Sequence, residues 1–314
     1  MMRSSIRADG FPSQIALWAA LGGTLFALIW SLSFVVTRLA LPDIPPVLLA
    51  AIRLIASGAL LVAFRARTTL ATWRAASPAT RRTIILAGLL AQAVYLGAAY
   101  WALTAIPTSV VNIVVSALPL LTIPAAFLVL RERASLIETF AVVLGVTGVA
   151  IAVFDTQSMR MVNEGAYTAA AMLLLVAVAA LALGNTLVKR IVTARNYIDI
   201  CGPQFLTSGV VLLVVSLILE TTPGWDALAR ALPELGYLVL LGSIVGMALW
   251  FKLLSLMTAN QAASFFLMTP IMGMGLGALF FGELMTTSKI IGVVVLMASI
   301  SLKVMVSFAN KPND

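Results

Sequence analysis

The 314-residue chain has no histidine, only one cysteine and only 12 acidic residues. Without histidine, neither a histidine-based catalytic triad nor a histidine metal site can form. Cys201 has no second cysteine with which to form an intrachain disulfide. A Walker-type phosphate loop is also missing from the sequence. We therefore expect no catalytic residue, no metal and no cofactor, and hence a protein that is not an enzyme.

Apolar residues make up 61% of the chain and charged residues 10%, with a mean hydropathy of +1.07. A soluble globule needs more polar surface than this, so the lipid bilayer must act as the solvent. An apolar helix needs about 20 residues to cross the hydrocarbon. The sequence therefore predicts an all-α membrane protein with ten transmembrane helices, at residues 15–38, 46–64, 83–103, 107–130, 136–154, 165–188, 198–219, 234–255, 259–281 and 287–307.

Basic residues dominate the few charges, and the formal net charge is +8. Such a charge can indicate a nucleic-acid partner. In multispan membrane proteins, however, basic residues are concentrated in the cytoplasmic loops, where they set the orientation of the protein in the membrane. On this topology the loops on the side opposite the N-terminus carry only Arg38, Arg160, Arg230 and Lys289. We therefore predict a multi-pass protein of the cell inner membrane with both termini in the cytoplasm and no nucleic-acid partner.

The two halves of the chain repeat each other at an offset of 151 residues. The matching pairs are Pro119 and Pro270, Glu132 and Glu283, Arg38 and Lys189, Ser57 and Ser208, and Gly58 and Gly209. Because each half holds five spans, an odd number, the second copy must enter the bilayer upside down. Inverted repeats are typical of transporters that alternate between two open states. The predicted units are a tail at 1–14, a first repeat at 15–154, a second, inverted repeat at 165–307 and a tail at 308–314.

Short motifs follow one another in a characteristic order, and those of the fourth span recur in the ninth. They are Trp-Ser-Leu-Ser-Phe-Val at 30–35, Pro-Pro at 45–46, Ala-Ile-Arg-Leu at 51–54, Ser-Ala-Leu-Pro-Leu-Leu at 116–121, Met-Thr-Pro-Ile at 268–271 and Gly-Glu at 282–283. In order and spacing they resemble the EamA-type members of the drug/metabolite transporter superfamily. The resemblance implies a ten-span carrier of two inverted halves, and the aromatic complement is most similar to exporters of aromatic and other amino acids. Arg131 departs from the pattern, because the family usually has glycine before the glutamate.

Polar side chains within the spans are expected to face the bundle interior or a watery cavity. Helical phase places Gln92 and Tyr95 on one face of the third span, and Asn112 and Ser116 on one face of the fourth. These four residues are candidates for substrate binding. For Asn112 and Ser116 the alternative is hydrogen bonding between helices.

Two tryptophans and one asparagine complete the neutral candidates. Trp30 shares its face with small residues, as does Trp250 in the other half, and large rings beside small residues leave shaped space. Packing is the alternative for both. Asn185 lies near the cytoplasmic end of the sixth span, where it would line an inner gate or cap a helix.

Arg53 is the one cation predicted near the middle of the membrane, and the span assignment puts no acidic residue at that depth. Its guanidinium must find backbone carbonyls, water or an anionic group of the substrate. Arg53 is therefore a candidate gate or anion contact.

The sequence thus indicates a secondary transporter that exports amino acids, aromatic ones foremost, and related small metabolites by alternating access. Trp30, Tyr95 and Trp250 would contact the apolar part of this small-molecule substrate. Gln92, Asn112, Ser116 and Asn185 would bind its polar groups. The alternatives are a carrier of a nucleobase, a sugar phosphate or an organic cation, and a channel or regulatory membrane subunit.

Overall fold

In a computed structural model of the protein, the described part of the chain is helical and contains no strand. The structure describes residues 13–131, 134–160, 163–189, 191, 196–256 and 264–309. Glu132 of the repeated pair and most of the two predicted tails lie outside these residues.

Ten helical segments in the described residues follow the ten predicted spans. They are α1 (Ser13–Ala40), α2 (Pro46–Phe64), α3 (Pro78–Ala102), α4 (Thr108–Ser116 and Leu118–Leu130), α5 (Leu136–Val153), α6 (Glu164–Val188), α7 (Tyr197–Leu219), α8 (Leu232–Tyr237, Leu238–Val245 and Gly246–Leu256), α9 (Ser264–Leu267 and Met268–Phe281) and α10 (Thr287–Ala309). Short helices at Ala66–Ala75, Thr156–Arg160 and Trp225–Arg230 lie in the connections.

The length and composition of most of these helices are those of membrane spans. Seven described helices can cross a bilayer on this basis, or eight when the two parts of α4, which bend by 40°, count as one span. The apolar part of α9 is shorter, at Phe265–Phe281. We call the side where α1 begins the near face and the side where it ends the far face.

The helices pack in a pattern that repeats between the two halves. Helix α1 packs on α8 and α9, and its counterpart α6 packs on α3 and α4. The pairs α2 with α7 and α5 with α10 make the most extensive contacts, and each joins a helix to its own counterpart. Exchanging the two halves leaves this contact pattern unchanged. Because each half contains five segments, each helix runs in the opposite direction to its counterpart in the other half. The chain is therefore built from two inverted repeats.

Repeated glycines bring α2 and α7 into close contact. A Cβ on Gly58 would lie 2.8 Å from the backbone nitrogen of Leu206, and one on Gly209 would lie 2.8 Å from the backbone nitrogen of Ile55. Small residues let helix backbones approach closely and gain van der Waals contact. This contact stabilises the pair, because in lipid there is no hydrophobic driving force between helices. The Gly58 and Gly209 repeat of the sequence is thus the crossing point of the α2–α7 pair.

Carboxylates hold the two ends of the α2–α7 pair. At the far face, Glu220 accepts hydrogen bonds from the backbone N–H groups of Val47 and Leu48, both at 2.9 Å. These are among the N–H groups that a helix leaves unpaired at its start. At the near face, Asp199 forms an ion pair with Arg65 at 3.3 Å. The α2–α7 pair is therefore anchored at both faces.

Helices α3 and α8 each contain a π-helical turn at equivalent places. These turns span Leu89–Val94 and Leu238–Val245. A π turn changes the phase of the side chains that follow it, and such turns are frequent at functional sites. Gln92 lies in the first of these turns and Ser243 in the second. Each repeat therefore has a π turn with a polar side chain toward the interior of the helix bundle.

Candidate transport cavity

A cavity of about 740 Å³ lies between the two repeats, and all ten helical segments contribute to its wall. At its deep end it is lined by Trp30 and Arg53, which stand near the middle of their helices. At its other end it reaches Leu130, Asn185 and Lys189 at the near ends of α4 and α6, where Asn185 and Lys189 are exposed. The cavity therefore runs from mid-membrane toward the near face.

Four aromatic rings form one wall of the cavity, and we call them the aromatic wall. They are Phe26 and Trp30 of α1, Trp250 of α8 and Phe266 of α9. Phe26 stacks on Trp250 with 5.2 Å between ring centroids, and Phe266 meets Trp30 edge-on at 5.8 Å. Offset and edge-to-face rings of this kind attract each other beyond the area they bury. They leave a surface suited to an apolar or aromatic group.

Arg53 stands in the wall from α2, with 8% of its surface exposed. Its Nε donates to Ser243 Oγ at 3.0 Å, and its Nη1 donates to the hydroxyl of Tyr100. The π turn of α8 supplies the serine, so both repeats hold the guanidinium. None of the ion pairs found among the described residues includes Arg53.

Two further polar groups in the wall have no hydrogen-bond partner in the structure. They are the hydroxyl of Tyr95 and the indole N–H of Trp30. Tyr95 is 3% exposed and follows the π turn of α3 directly. Gln92 of the same turn also lines the cavity. These side chains bring unused hydrogen-bonding capacity to the same cavity as Arg53.

The near end of the cavity is charged. Lys303 of α10 donates to the backbone carbonyl of Pro119 and, at 3.2 Å, to Thr122 Oγ1. Glu138 and Lys189 also line this end, and the Glu138 carboxylate completes a capping box with Ser135 at the start of α5. The entrance from the near face is thus more polar than the aromatic wall.

At the far face, side-chain contacts close the space between the two repeats. Glu283, after α9, forms an ion pair with Arg38 of α1 at 2.9 Å. It also accepts the backbone N–H groups of Thr108 at 2.6 Å and Ser109 at 2.9 Å, at the start of α4. Helix starts favour negative charge, and bonds to an ionised acceptor are strong. Glu283 therefore joins α1, α4 and α9 on the side away from the cavity entrance.

The family model described as the EamA-like transporter family matches residues 17–154 and again residues 168–305. The two matches cover most of the chain. The chain belongs to the EamA-like transporter family. The resemblance found in the sequence is confirmed, and this EamA-like transporter is a membrane-spanning transport protein and not an enzyme.

Curated relatives have low identity but match along most of their length. A probable amino-acid metabolite efflux pump of Salmonella typhimurium is 26% identical over 311 residues, with 95% of each chain covered. The uncharacterized inner membrane transporter YedA of Escherichia coli is 28% identical over 278 residues, covering 85% of this chain and 84% of that protein. One solved crystal structure, 14% identical, matches with a TM-score of 0.61 over 94% of this chain and 99% of that chain, which supports the fold alone.

Of the predicted site residues of this EamA-like transporter, six line the cavity. They are Trp30, Arg53, Gln92, Tyr95, Asn185 and Trp250. Asn112 and Ser116 do not, and their predicted position on the cavity wall is corrected. Ser116 Oγ lies 2.7 Å from Thr269 Oγ1 of α9, and Gly273 of α9 leaves the space that Asn112 fills. These two polar residues therefore pack α4 against α9.

Two residues that line the cavity of this transporter, Phe266 and Lys303, and the Arg53 partner Tyr100 were absent from the predicted site. Tyr100 lies five residues after Tyr95, a spacing that a regular α-helix puts on a different face, and its hydroxyl accepts a hydrogen bond from Arg53. Phe266 belongs to an apolar run without helical period. The sequence assigned Lys303 to the basic residues that set the orientation of the protein in the membrane, whereas its side chain reaches the cavity. No pattern in the sequence separates these residues from their neighbours.

Proposed function

We propose that this EamA-like transporter exports amino acids, aromatic ones foremost, and related small metabolites by alternating access. One observation carries the proposal. The aromatic wall and the buried guanidinium of Arg53 line a single cavity of about 740 Å³. Ligand sites of small molecules usually combine apolar walls with a few polar groups that fix orientation. An aromatic amino acid has a ring that can pack on the aromatic wall and an anionic group that can bind the guanidinium of Arg53.

The proposed roles of the individual residues follow their chemistry. The rings of Trp30, Tyr95 and Trp250 contact the apolar part of the substrate, and the side chains of Gln92 and Asn185 bind its polar groups. These hydrogen-bonding groups are neutral, which suits a carrier because it must release what it binds. Asn185 stands at the near end of the cavity, where it meets the substrate on entry.

The transport cycle is proposed to alternate between this conformation and one that opens to the far face. Here the cavity reaches the near face, while Glu283 and Arg38 join helices at the far face. In the proposed orientation the protein spans the cell inner membrane and the near face is cytoplasmic. The conformation is then the one that accepts a substrate for export. Two relatives named probable amino-acid metabolite efflux pumps support this direction and substrate class.

A second candidate substrate is a more highly charged anion such as a sugar phosphate. The described lining residues include the cations Arg53, Lys189 and Lys303 and the single carboxylate of Glu138. An excess of cations favours phosphate binding. The aromatic wall has no role in such a carrier, so we rank the sugar phosphate second.

Counterflow in proteoliposomes tests the proposal. Vesicles loaded with phenylalanine are expected to accumulate labelled phenylalanine from outside, with saturation and with competition by tryptophan and tyrosine. Adenine, glucose 6-phosphate and tetraphenylphosphonium are expected not to compete. Competition by one of these instead of the amino acids would replace the proposed substrate class. Flux without saturation would indicate a channel, and no flux would indicate a regulatory subunit.

Removal of one ring tests the aromatic wall. Trp250→Ala is expected to raise the half-saturating phenylalanine concentration about tenfold, since a stacked ring contributes about 1 kcal/mol beyond its buried area. The control is Trp225→Ala, which removes a ring that is 86% exposed in a far-face connection. Equal effects of the two substitutions, measured on protein that elutes as a single folded peak, would contradict the assigned role.

A further inference from the structure

The guanidinium of Arg53 is buried without a counterion among the described residues. It is 8% exposed, its two hydrogen-bond partners, Ser243 and Tyr100, are both neutral, and the ion pairs of the described chain do not include it. A buried charge that lacks a partner of opposite sign carries a large desolvation cost. The two bonds use two of the five N–H groups of the side chain. The remaining donors need acceptors, and the cavity borders this side chain.

Two more donors border the same cavity without partners. The Trp30 indole N–H can only donate, and the Tyr95 hydroxyl is buried with no partner. Buried polar groups in proteins are rarely left without hydrogen bonds, so each such group requires an explanation. Three groups that lack acceptors in one cavity point to a ligand that supplies acceptors. An ionised carboxylate consists of acceptors only and carries the charge that Arg53 lacks.

The absence of a side chain at Gly242 lets the backbone of α8 approach the guanidinium closely. A Cβ at this position would lie 3.2 Å from Arg53 Nη2 and 2.9 Å from Ser33 Oγ. Gly242 lies in the π turn of α8 and lines the cavity. The missing side chain therefore lets the α8 backbone pack beside the Nη2 nitrogen, which has no assigned bond. A larger residue there would collide with the guanidinium and with Ser33.

We infer that Arg53, Tyr95 and Trp30 together form an anchoring site for the carboxylate of the transported molecule. The inference rests on the proposed function and makes it more specific, because it names the group that the transporter requires. Trp30 donates its N–H to the carboxylate and presents its ring to the aromatic wall, so one residue joins the two parts of the site. The α-amino group of an amino acid is not needed for anchoring. Molecules without a carboxylate are rejected.

Four related ligands separate the carboxylate from the amino group. They are phenylalanine, 3-phenylpropionate, phenethylamine and phenylalaninamide, and their binding to the purified wild-type protein is measured by calorimetry. The two carboxylates are expected to bind at least about tenfold more tightly than the amine and the amide, since a hydrogen-bonded charge pair is lost in the latter. Equal binding of phenylalanine and phenylalaninamide would overturn the carboxylate site while leaving amino-acid export intact. Selective binding of 3-phenylpropionate without any phenylalanine transport would instead refute the proposed function and retain the carboxylate site.

Single-atom variants test the contribution of the tyrosine. Tyr95→Phe removes a hydroxyl that has no partner in the structure, so the fold loses no hydrogen bond. We expect it to weaken binding of both carboxylates by about tenfold and to leave binding of phenethylamine unchanged. Tyr167→Phe is the matched control, because that hydroxyl bonds the backbone carbonyl of Val153 outside the cavity. An equal change for carboxylates and amine in Tyr95→Phe, or no change for either, would contradict the inference.

Discussion

At the scale of single residues, Arg131 and Gly282 share an unusual backbone conformation although one has a long side chain and the other has none. Both follow the last turn of a helix, α4 and α9, and both have left-handed backbone angles, with φ of 57° and 62°. The two positions are equivalent in the repeat. A residue with a Cβ pays about 1 to 2 kcal/mol for this conformation, and glycine does not. Arg131 is the one non-glycine residue with positive φ in the described chain.

Replacing this arginine should therefore stabilise the protein. Arg131→Gly is expected to raise the free energy of unfolding by about 0.5 to 1 kcal/mol, because relief of strain exceeds the larger entropy loss of glycine. Gly282→Ala, the reverse change at the equivalent position, is expected to lower it by a similar amount. Thermal unfolding in detergent compares both with the wild type. If Arg131→Gly also lowers the midpoint, the arginine side chain makes contacts that outweigh the strain.

At the scale of helices, π turns and glycines decide which surfaces meet. The π turns of α3 and α8 bring Tyr95 and Ser243 to the cavity, and the glycines of α2 and α7 bring two backbones together. The α2–α7 crossing also carries Arg53 on its cavity side.

A methyl group at this crossing should cost stability. Gly58→Ala would place a Cβ 2.8 Å from backbone nitrogen, which cannot move without shifting α7. We expect the free energy of unfolding to fall by about 1 to 3 kcal/mol, the usual cost of overpacking. Gly275→Ala in α9 is the matched control, since no atom lies within 4 Å of the added methyl. Loss of stability in the control and not in Gly58→Ala, judged by thermal unfolding, would refute the crossing as described.

At the scale of the whole molecule, the two faces differ in how the repeats meet. Near-face residues from both repeats line the entrance to the cavity, whereas Glu283 joins α1, α4 and α9 at the far face. Arg230 and Asp43 form a second far-face ion pair at 2.6 Å, and both are more exposed than Glu283. In the proposed transport cycle, opening of the far face breaks the Glu283 contacts, which are the less exposed ones.

Neutralising Glu283 should loosen the far face. Glu283→Gln keeps the shape and loses the charge-assisted bonds to Arg38 and to the start of α4. Bonds to charged groups contribute about 1.5 to 3 kcal/mol, so the amides of Thr108 and Ser109 are expected to exchange hydrogen at least about tenfold faster. Mass spectrometry of the peptide that contains these amides measures the rate. Asp226→Asn, an exposed far-face change, serves as control, and unchanged exchange in Glu283→Gln would contradict the role of this contact.

The orientation of the whole molecule is testable by labelling. With Cys201 replaced by alanine, a cysteine in place of Trp73 lies in the near-face connection between α2 and α3. We expect an impermeant thiol reagent to leave it unlabelled in intact cells and to label it once the membrane is opened, because basic residues concentrate in cytoplasmic loops. A cysteine in place of Trp225, at the far face, should behave in the opposite way. The reverse pattern would invert the proposed topology.

The sequence by itself determined the helical class, the positions of the spans and the repeat. Apolar runs of membrane length leave the chain no other structure, since unpaired backbone groups are too costly in lipid. The offset of 151 residues between Gly58 and Gly209 predicted the inverted halves without coordinates. The depth of Arg53 in its span likewise indicated an unpaired cation in the interior.

Only the tertiary structure decided which polar and aromatic residues share one cavity. Helical periodicity shows which residues face inward but not which helix they meet, so Asn112 and Ser116 looked like wall residues until α9 was seen to cover them. The phase of α3 likewise does not show that Tyr100 meets Arg53 of α2. Phe266 and Lys303 come from the other half of the chain, and long-range packing alone brings them to the same cavity as Trp30 and Arg53.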